Sequence, residues 1–447
     1  MSNRSHRRDF LKIGAAGLLG MTLPDLLRLE ATANNPRAQS VTNGRARNVI
    51  MIWLSGGPAT IDIWDLKPDA PAQIRGEFRP IHTNADGVHI SEHMPRTARV
   101  MDQAAIVRSL AHGIDDHGAA SVYMTAGTRS TQVLRYPSLG SMTSRLLDAE
   151  PGIPAYVKFG RGGSSQTTGY LGTQYSPLEV DENINIRPAA AQAQNRFQQP
   201  QQQQQLGVAL PPGFSQDMLN DRDGLRNAFD EHFSRLDNSA DIVGGMDRFH
   251  QQAIDILRAN RTQRALDVSG EPSIVRDRYG SDALGRAGLI SRRLIEAGTR
   301  FVTFTINGWD THGGNFNALR TNLLPRLDRV LAALVGDLAS RGLLENTVVY
   351  CAGEFGRTPR VNGGAGRDHW GRSMSVFLAG GGIKRGYVHG STDTNGMAPA
   401  NAPCRPDDVA ATIFHCLGFE PSYEISSPLG RPLQIFPLGR VLAPLVA

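Results

Sequence analysis

The chain has 447 residues, 40% hydrophobic and 20% charged, a globular balance with apolar residues enough for a sizeable core. Its net charge of +5 falls to +3 once residues 1–33 are set aside (42 basic against 39 acidic), and with no basic run interleaved with aromatics no nucleic-acid partner is expected. Three cysteines, Cys351, Cys404 and Cys416, are too few and odd in number for a disulfide scaffold.

In chain order, Arg7 and Arg8 come first, followed by Phe10-Leu11-Lys12 and a mildly apolar, Gly- and Ala-rich stretch over residues 13–23. This resembles a twin-arginine export signal and is too short to span a membrane; the other reading is an amphipathic first helix. Ala31-Thr32-Ala33 gives a small-x-small cleavage site, so residues 1–33 are predicted to be removed. The twin-arginine translocase is the partner this implies; it carries folded proteins, often with a metal or cofactor loaded. No other run of about 18 apolar residues exists, so the mature chain is expected to be soluble, in the periplasm or otherwise outside the cytoplasm.

Residues 34–46 read as a linker, and 47–440 as one α/β domain. Residues 47–54 (RNVIMIWL) form an apolar strand ending in Ser55-Gly56-Gly57-Pro58, and 104–110 a second strand. Helices are predicted over 117–128 and 139–149. The Gln-rich residues 192–205 cannot build a core and read as a disordered insertion or surface loop. Helical stretches follow at about 221–236, 241–265 and 280–297. Then come strand 300–306, helix 319–341, strands 346–352 and 374–379, and helix 407–417. Strands apolar throughout, alternating with long helices, predict a three-layer α/β/α sandwich with a mostly parallel central sheet. Cys351 is expected to be a buried thiol; Cys404 and Cys416 could pair in an oxidising compartment.

Ligands of such sheets bind beyond the carboxyl ends of the strands. The loops there are SGGPATIDIWD, AHGIDDHGAAS, NGWDTHGGN, and GEFGRTP followed by GRDHW, all rich in Gly with Asp, His or Glu. Asp62, His117, Asp310, His312, Glu354 and His369 therefore have the make-up of a site for one or two divalent ions: zinc, manganese, iron or calcium. Each taken singly could instead be a cap or a solvated residue, and Glu354 with Arg357 could be an ion pair at a turn. Arg357, Arg367 and Arg372 lie in the same region; they either hold a sulfate, phosphate or carboxylate or stitch the loops together. His82, His89 and His93 read as surface or structural residues.

The segments LSGGPATIDIWDLKPDAP, IRGEFRPI, ISEHMPR, GWDTHGGNF, AGEFGRTPRVN, GRDHW and LAGGGIKRG resemble those of domain-of-unknown-function family 1501, twin-arginine-exported bacterial proteins grouped with the alkaline phosphatase and sulfatase superfamily. The resemblance runs from about residue 47 to 440, outside the Gln tract. It implies an alkaline phosphatase/sulfatase-like fold with one or two metals, and supplies no substrate. Where the superfamily has a metal-binding Asp after the first strand, this chain has Ser55, with Asp62 the nearest carboxylate. Where it has a Ser, Thr or modified Cys nucleophile, ten residues before a Gly, this chain has His117. The Asp and His of the first metal look like Asp310 and His312, the later Asp-His pair like Glu354-Phe355, and the final His like His369.

Two functions follow. In one, a metal-activated water attacks a sulfate or phosphate ester, possibly on a polysaccharide; Asp310, His312 and His369 hold the metal, His117 and Glu354 serve a second ion or the water with Arg357 beside them, and Arg367 and Arg372 hold the oxyanion. In the other, the protein is non-catalytic and binds a glycan or a protein partner outside the cytoplasm.

Overall fold

A computed structural model of the chain describes residues 44–150, 152–160, 167–181, 186–187, 260–427 and 430–447. The N-terminal segment read as an export signal, the Gln tract, the stretch at 221–236 and most of 241–265 lie outside these residues.

The centre is a nine-stranded sheet. Its strands are β1 (Asn48–Ser55), β2 (Ala104–Leu110), β3 (Tyr156–Phe159), β4 (Leu178–Val180), β5 (Ile186–Arg187), β6 (Phe301–Asn307), β7 (Thr347–Ala352), β8 (Met374–Ala379) and β9 (Tyr387–His389). The spatial order is β9-β2-β8-β7-β1-β6-β3-β4-β5. β8 pairs antiparallel with both β2 and β7, and β5 antiparallel with β4; the other pairings are parallel. The sheet is thus mostly parallel, with one reversed strand inside it.

β1 shows why the strands are apolar at every position. Successive side chains point to opposite faces. Ile50, Ile52 and Leu54 enter one core cluster with residues of α5 (Ala283–Ala297) and α6 (Leu324–Ser340). Val49, Met51 and Trp53 enter another, which includes residues of α1 (His117–Ala126), α2 (Leu139–Leu146) and α7 (Pro406–Cys416). All six are at most 1% exposed, and full burial of each contributes about 1.5–3 kcal/mol. Helices on both faces make the three layers.

The helix ends follow local chemistry. Asp116 caps α1 by accepting from the Ala119 N–H at 2.8 Å, and the helix stops at Gly127 in the left-handed region. The expected helix over 280–297 is α5, with Asp282 as its cap; an unexpected helix, α4 (Ser273–Tyr279), precedes it and ends at Gly280, whose φ is +92°. The expected 319–341 helix opens as a π-turn over Leu319–Leu323 before α6. Of the stretch at 241–265, α3 (Asn260–Leu266) is described. Among the described residues no helix is long and apolar enough to cross a membrane. The possible Cys404–Cys416 pair is not formed: both are buried free thiols, pushed up to about 12 by burial, and Cys351 is a buried thiol too.

Candidate metal centre

Four loops meet at the carboxyl edge of the sheet. The loop after β1 is the floor. Gly56, at φ +117°, donates its N–H to Glu354 Oε1 at 2.8 Å, and a Cβ there would lie 2.4 Å from the Asp310 nitrogen. Only glycine lets the loops after β1, β6 and β7 approach this closely. The loop after β6 brings Asp310 and His312, the loop after β7 brings Glu354, and His117 opens α1 beyond β2. His369 arrives differently. It precedes β8, and because β8 runs antiparallel its beginning lies at the edge where its neighbours end.

Asp310 is the hub. His117 Nε2 lies 3.5 Å from its Oδ2; His312 Nε2 and His369 Nε2 lie 3.1 and 3.2 Å from its Oδ1. The ligand atoms of His117, Asp310 and His369 are all within 4.8 Å of one another. His312 Nε2 and His369 Nε2 are 2.9 Å apart, inside twice a zinc–nitrogen bond of about 2.0–2.1 Å. Burial pushes the Asp310 carboxyl up, but hydrogen bonds from Arg357 and His369 and the nearby positive charge outweigh it and hold it at about 2.

The other ring nitrogens decide what the Nε2 atoms can be. His117 Nδ1 lies 2.7 Å from Glu354 Oε1, His312 Nδ1 2.7 Å from Asp368 Oδ1, and His369 Nδ1 2.7 Å from the Asp115 carbonyl oxygen. A carbonyl only accepts, and an ionised carboxylate only accepts. Each Nδ1 therefore carries the proton, and each ring turns its Nε2 toward Asp310. A neutral ring in this tautomer has its Nε2 lone pair free for a cation lying beside the Asp310 carboxylate. Ring orientation by a carboxylate or carbonyl at the far nitrogen is how metal-binding histidines are held. The donor set of His117, His369 and the Asp310 carboxylate, with His312 Nε2 beside them but outside the set, suits zinc, iron or manganese better than calcium, which prefers oxygen.

Not every residue singled out from the sequence belongs to this cluster. Asp62 was expected as a ligand and Arg367 as an oxyanion grip. Instead the two lock together, Arg367 donating through Nε and Nη2 at 2.8 and 2.7 Å, with Asn315 donating to the same carboxylate at 2.8 Å. They are 1% and 0% exposed. Burial pushes the Asp62 carboxyl above its ordinary value against the pull of Arg367. Arg357 is also buried; it donates to the carbonyls of Gly56, Gly57 and Arg367 and to Asp310, so it fixes the hub from below. Glu354, 2% exposed, stands behind His117 instead of joining its Nε2 side, and its Oε2 has no partner. Arg372 is exposed and lies over the Trp370 ring, 5.2 Å from its centroid, on a neighbouring cavity. His82 and His89 face each other across a hairpin with their rings tilted at 55°, and His93 packs edge-on to Phe78.

The sequence reading missed the supports. Asp115 accepts from the Gly371 N–H at 2.6 Å as well as from His369. Asp368 is held by Asn362 and the Thr358 hydroxyl. Buried His112 places its Nε2 2.8 Å from the Glu354 carbonyl and accepts from the Ile114 N–H, which makes it neutral; burial lowers its basicity. Asp115 and Asp368 neighbour residues that were singled out, in HGIDDH and GRDHW, yet adjacency alone marks no support.

Among solved structures the chain is similar to the phosphonate monoester hydrolase SpPMH from Silicibacter pomeroyi, at 13% identity over 89% of this chain and 76% of that one, with a TM-score of 0.35. It is similar to an alkaline phosphatase superfamily protein from Vibrio parahaemolyticus, at 10% over 85% and 69%, TM-score 0.35. The PsFucS1 sulfatase from Pseudoalteromonas sp. gives 11% over 87% of this chain and 70% of that one, TM-score 0.32. No curated protein matches the sequence. Residues 46–446 match the family described as "Protein of unknown function (DUF1501)", which takes in every element of the sheet and every residue of the centre, and the chain belongs to that family.

Proposed function

We propose that the mature protein is an exported, metal-dependent hydrolase of sulfate or phosphate esters. The observation that carries this is the convergence of three Nε2 atoms on Asp310, each ring oriented from behind. His117, Asp310, His312 and His369 would hold the ion. A bound divalent metal supplies charge for the ester oxygens and a more acidic water. Glu354 keeps His117 in the productive tautomer, Arg357 keeps Asp310 ionised and aimed, and Asp368 and Asp115 do the same for the other rings. The edge is open, with His312 and Asp310 about half exposed, so an ester on a bulky molecule can reach it. Export rests on the Arg7-Arg8 segment.

A second reading, binding of a glycan or protein without turnover, is favoured by one feature. The start of α1 presents His117, tied to Glu354, and no hydroxyl or thiol nucleophile.

Metal analysis of the mature protein purified after export decides between them. The hydrolase reading expects about one to two equivalents of a divalent ion, turnover of at least one ester in a sulfate and phosphate panel, and loss of both in His312→Ala with the melting profile kept. Metal-free protein would sink it and leave the binding reading.

A further inference from the structure

A second cavity of about 400 Å³ opens beside the centre. Its wall carries Arg129, Arg372 and Arg405, against a single carboxylate, Asp407. His112 lines it too, and the same ring holds the Glu354 carbonyl, so the cavity and the metal centre share a wall. Each arginine is held in place while keeping donors to spare. Arg129 donates to the His112 carbonyl at 2.6 Å and lies over the Tyr123 ring at 4.9 Å. Arg405 donates to the Leu438 carbonyl at 3.0 Å. Arg372 is held by Trp370 alone and makes no hydrogen bond or ion pair among the described residues. A guanidinium has five N–H donors, so all three retain donors for an oxyanion.

Asp407 tells what else the ligand must bring. It is 1% exposed; its Oδ2 accepts from the Tyr123 hydroxyl, while its Oδ1 has no partner. A bare anion would leave that oxygen unsatisfied and repelled. A ligand with an anionic group and a neighbouring hydroxyl satisfies both walls.

We propose that this cavity is a subsite for an anionic sugar unit, its sulfate or carboxylate held by Arg129, Arg372 and Arg405 and one hydroxyl donating to Asp407 Oδ1. The proposal rests on the hydrolase reading for its purpose, placing a sugar next to the one whose ester is cut, but not for its binding.

The test is calorimetry on the metal-loaded mature protein at physiological salt. The probes are a heparin-derived tetrasaccharide, its desulfated counterpart that keeps the uronates, and inorganic sulfate. The tetrasaccharide should bind, and Arg372→Gln and Arg405→Gln should each weaken it about tenfold, the scale of one lost charge-assisted contact. Arg372→Gln removes no internal bond, so its effect is not one of folding. Asp407→Asn should weaken it several-fold, on the same scale of one contact. Retained binding of the desulfated sugar would assign the carboxylate as the held group; its loss would assign the sulfate. His312→Ala should still bind the tetrasaccharide, even if no ester is ever turned over. Three results overturn the proposal: no binding of either sugar, an equal loss in the remote Arg320→Gln, or inorganic sulfate binding as well as the tetrasaccharide. Loss of binding in His312→Ala would also overturn it, by moving the sugar to the metal centre.

Discussion

Histidine rings can be read only through their far nitrogens. His117, His312 and His369 differ in their loops but share one arrangement, an acceptor at Nδ1 and Nε2 turned to the hub. Glu354→Gln changes that acceptor without moving its bulk. It should lower metal affinity about 10–100-fold, measured by chelator competition, with the melting temperature nearly unchanged. Asp62→Asn tests the opposite assignment. It leaves Arg367 buried and uncompensated, and should cost about 3–5 kcal/mol in denaturant unfolding, with metal content per folded molecule unaltered. If Asp62→Asn instead emptied the centre at full stability, Asp62 would be a ligand after all.

At the scale of elements, β1, β2, β6, β7 and β8 were legible in the sequence to within a residue at either end, because strands covered on both faces are apolar at every position. β3 was not. It carries Lys158, buried at 8% exposure and paired with Glu179 at 3.7 Å, and a charge in a four-residue run erases the apolar signal. β4, β5 and β9 are too short to stand out. Direction was also hidden: nothing in the composition of residues 374–379 says that β8 runs antiparallel, and that reversal is what returns His369 to the site. The candidate residues were legible as a set of loops, but their ranking was not, since Asp62 and Glu354 differ from Asp310 only in which partners fold against them. The glycines of the floor loop give a sharp check. Gly56→Ala must adopt φ +117° and push on the Asp310 backbone; it should destabilise the fold by at least about 1–3 kcal/mol and lower metal content in the fraction that folds. Normal metal content and stability in this variant would mean that the loops have slack.

For the whole molecule, the export segment can be tested apart from the fold. Replacing Arg7 and Arg8 by Lys should leave the precursor in the cytoplasm, read by fractionation and immunoblot; unchanged export would refute the twin-arginine reading. The reach of the centre along the chain has its own consequence. His117 and Glu354 are 237 residues apart in sequence and touch only once the sheet between them is assembled. No fragment, and no half-made chain on the ribosome, can therefore capture an ion with the full ligand set. If the chain binds an ion and is exported folded, as proposed, ion capture reports that synthesis and folding are complete, the cytoplasm is the place where the choice of ion is made, and the ion found outside would record the metal economy of the compartment the protein has left.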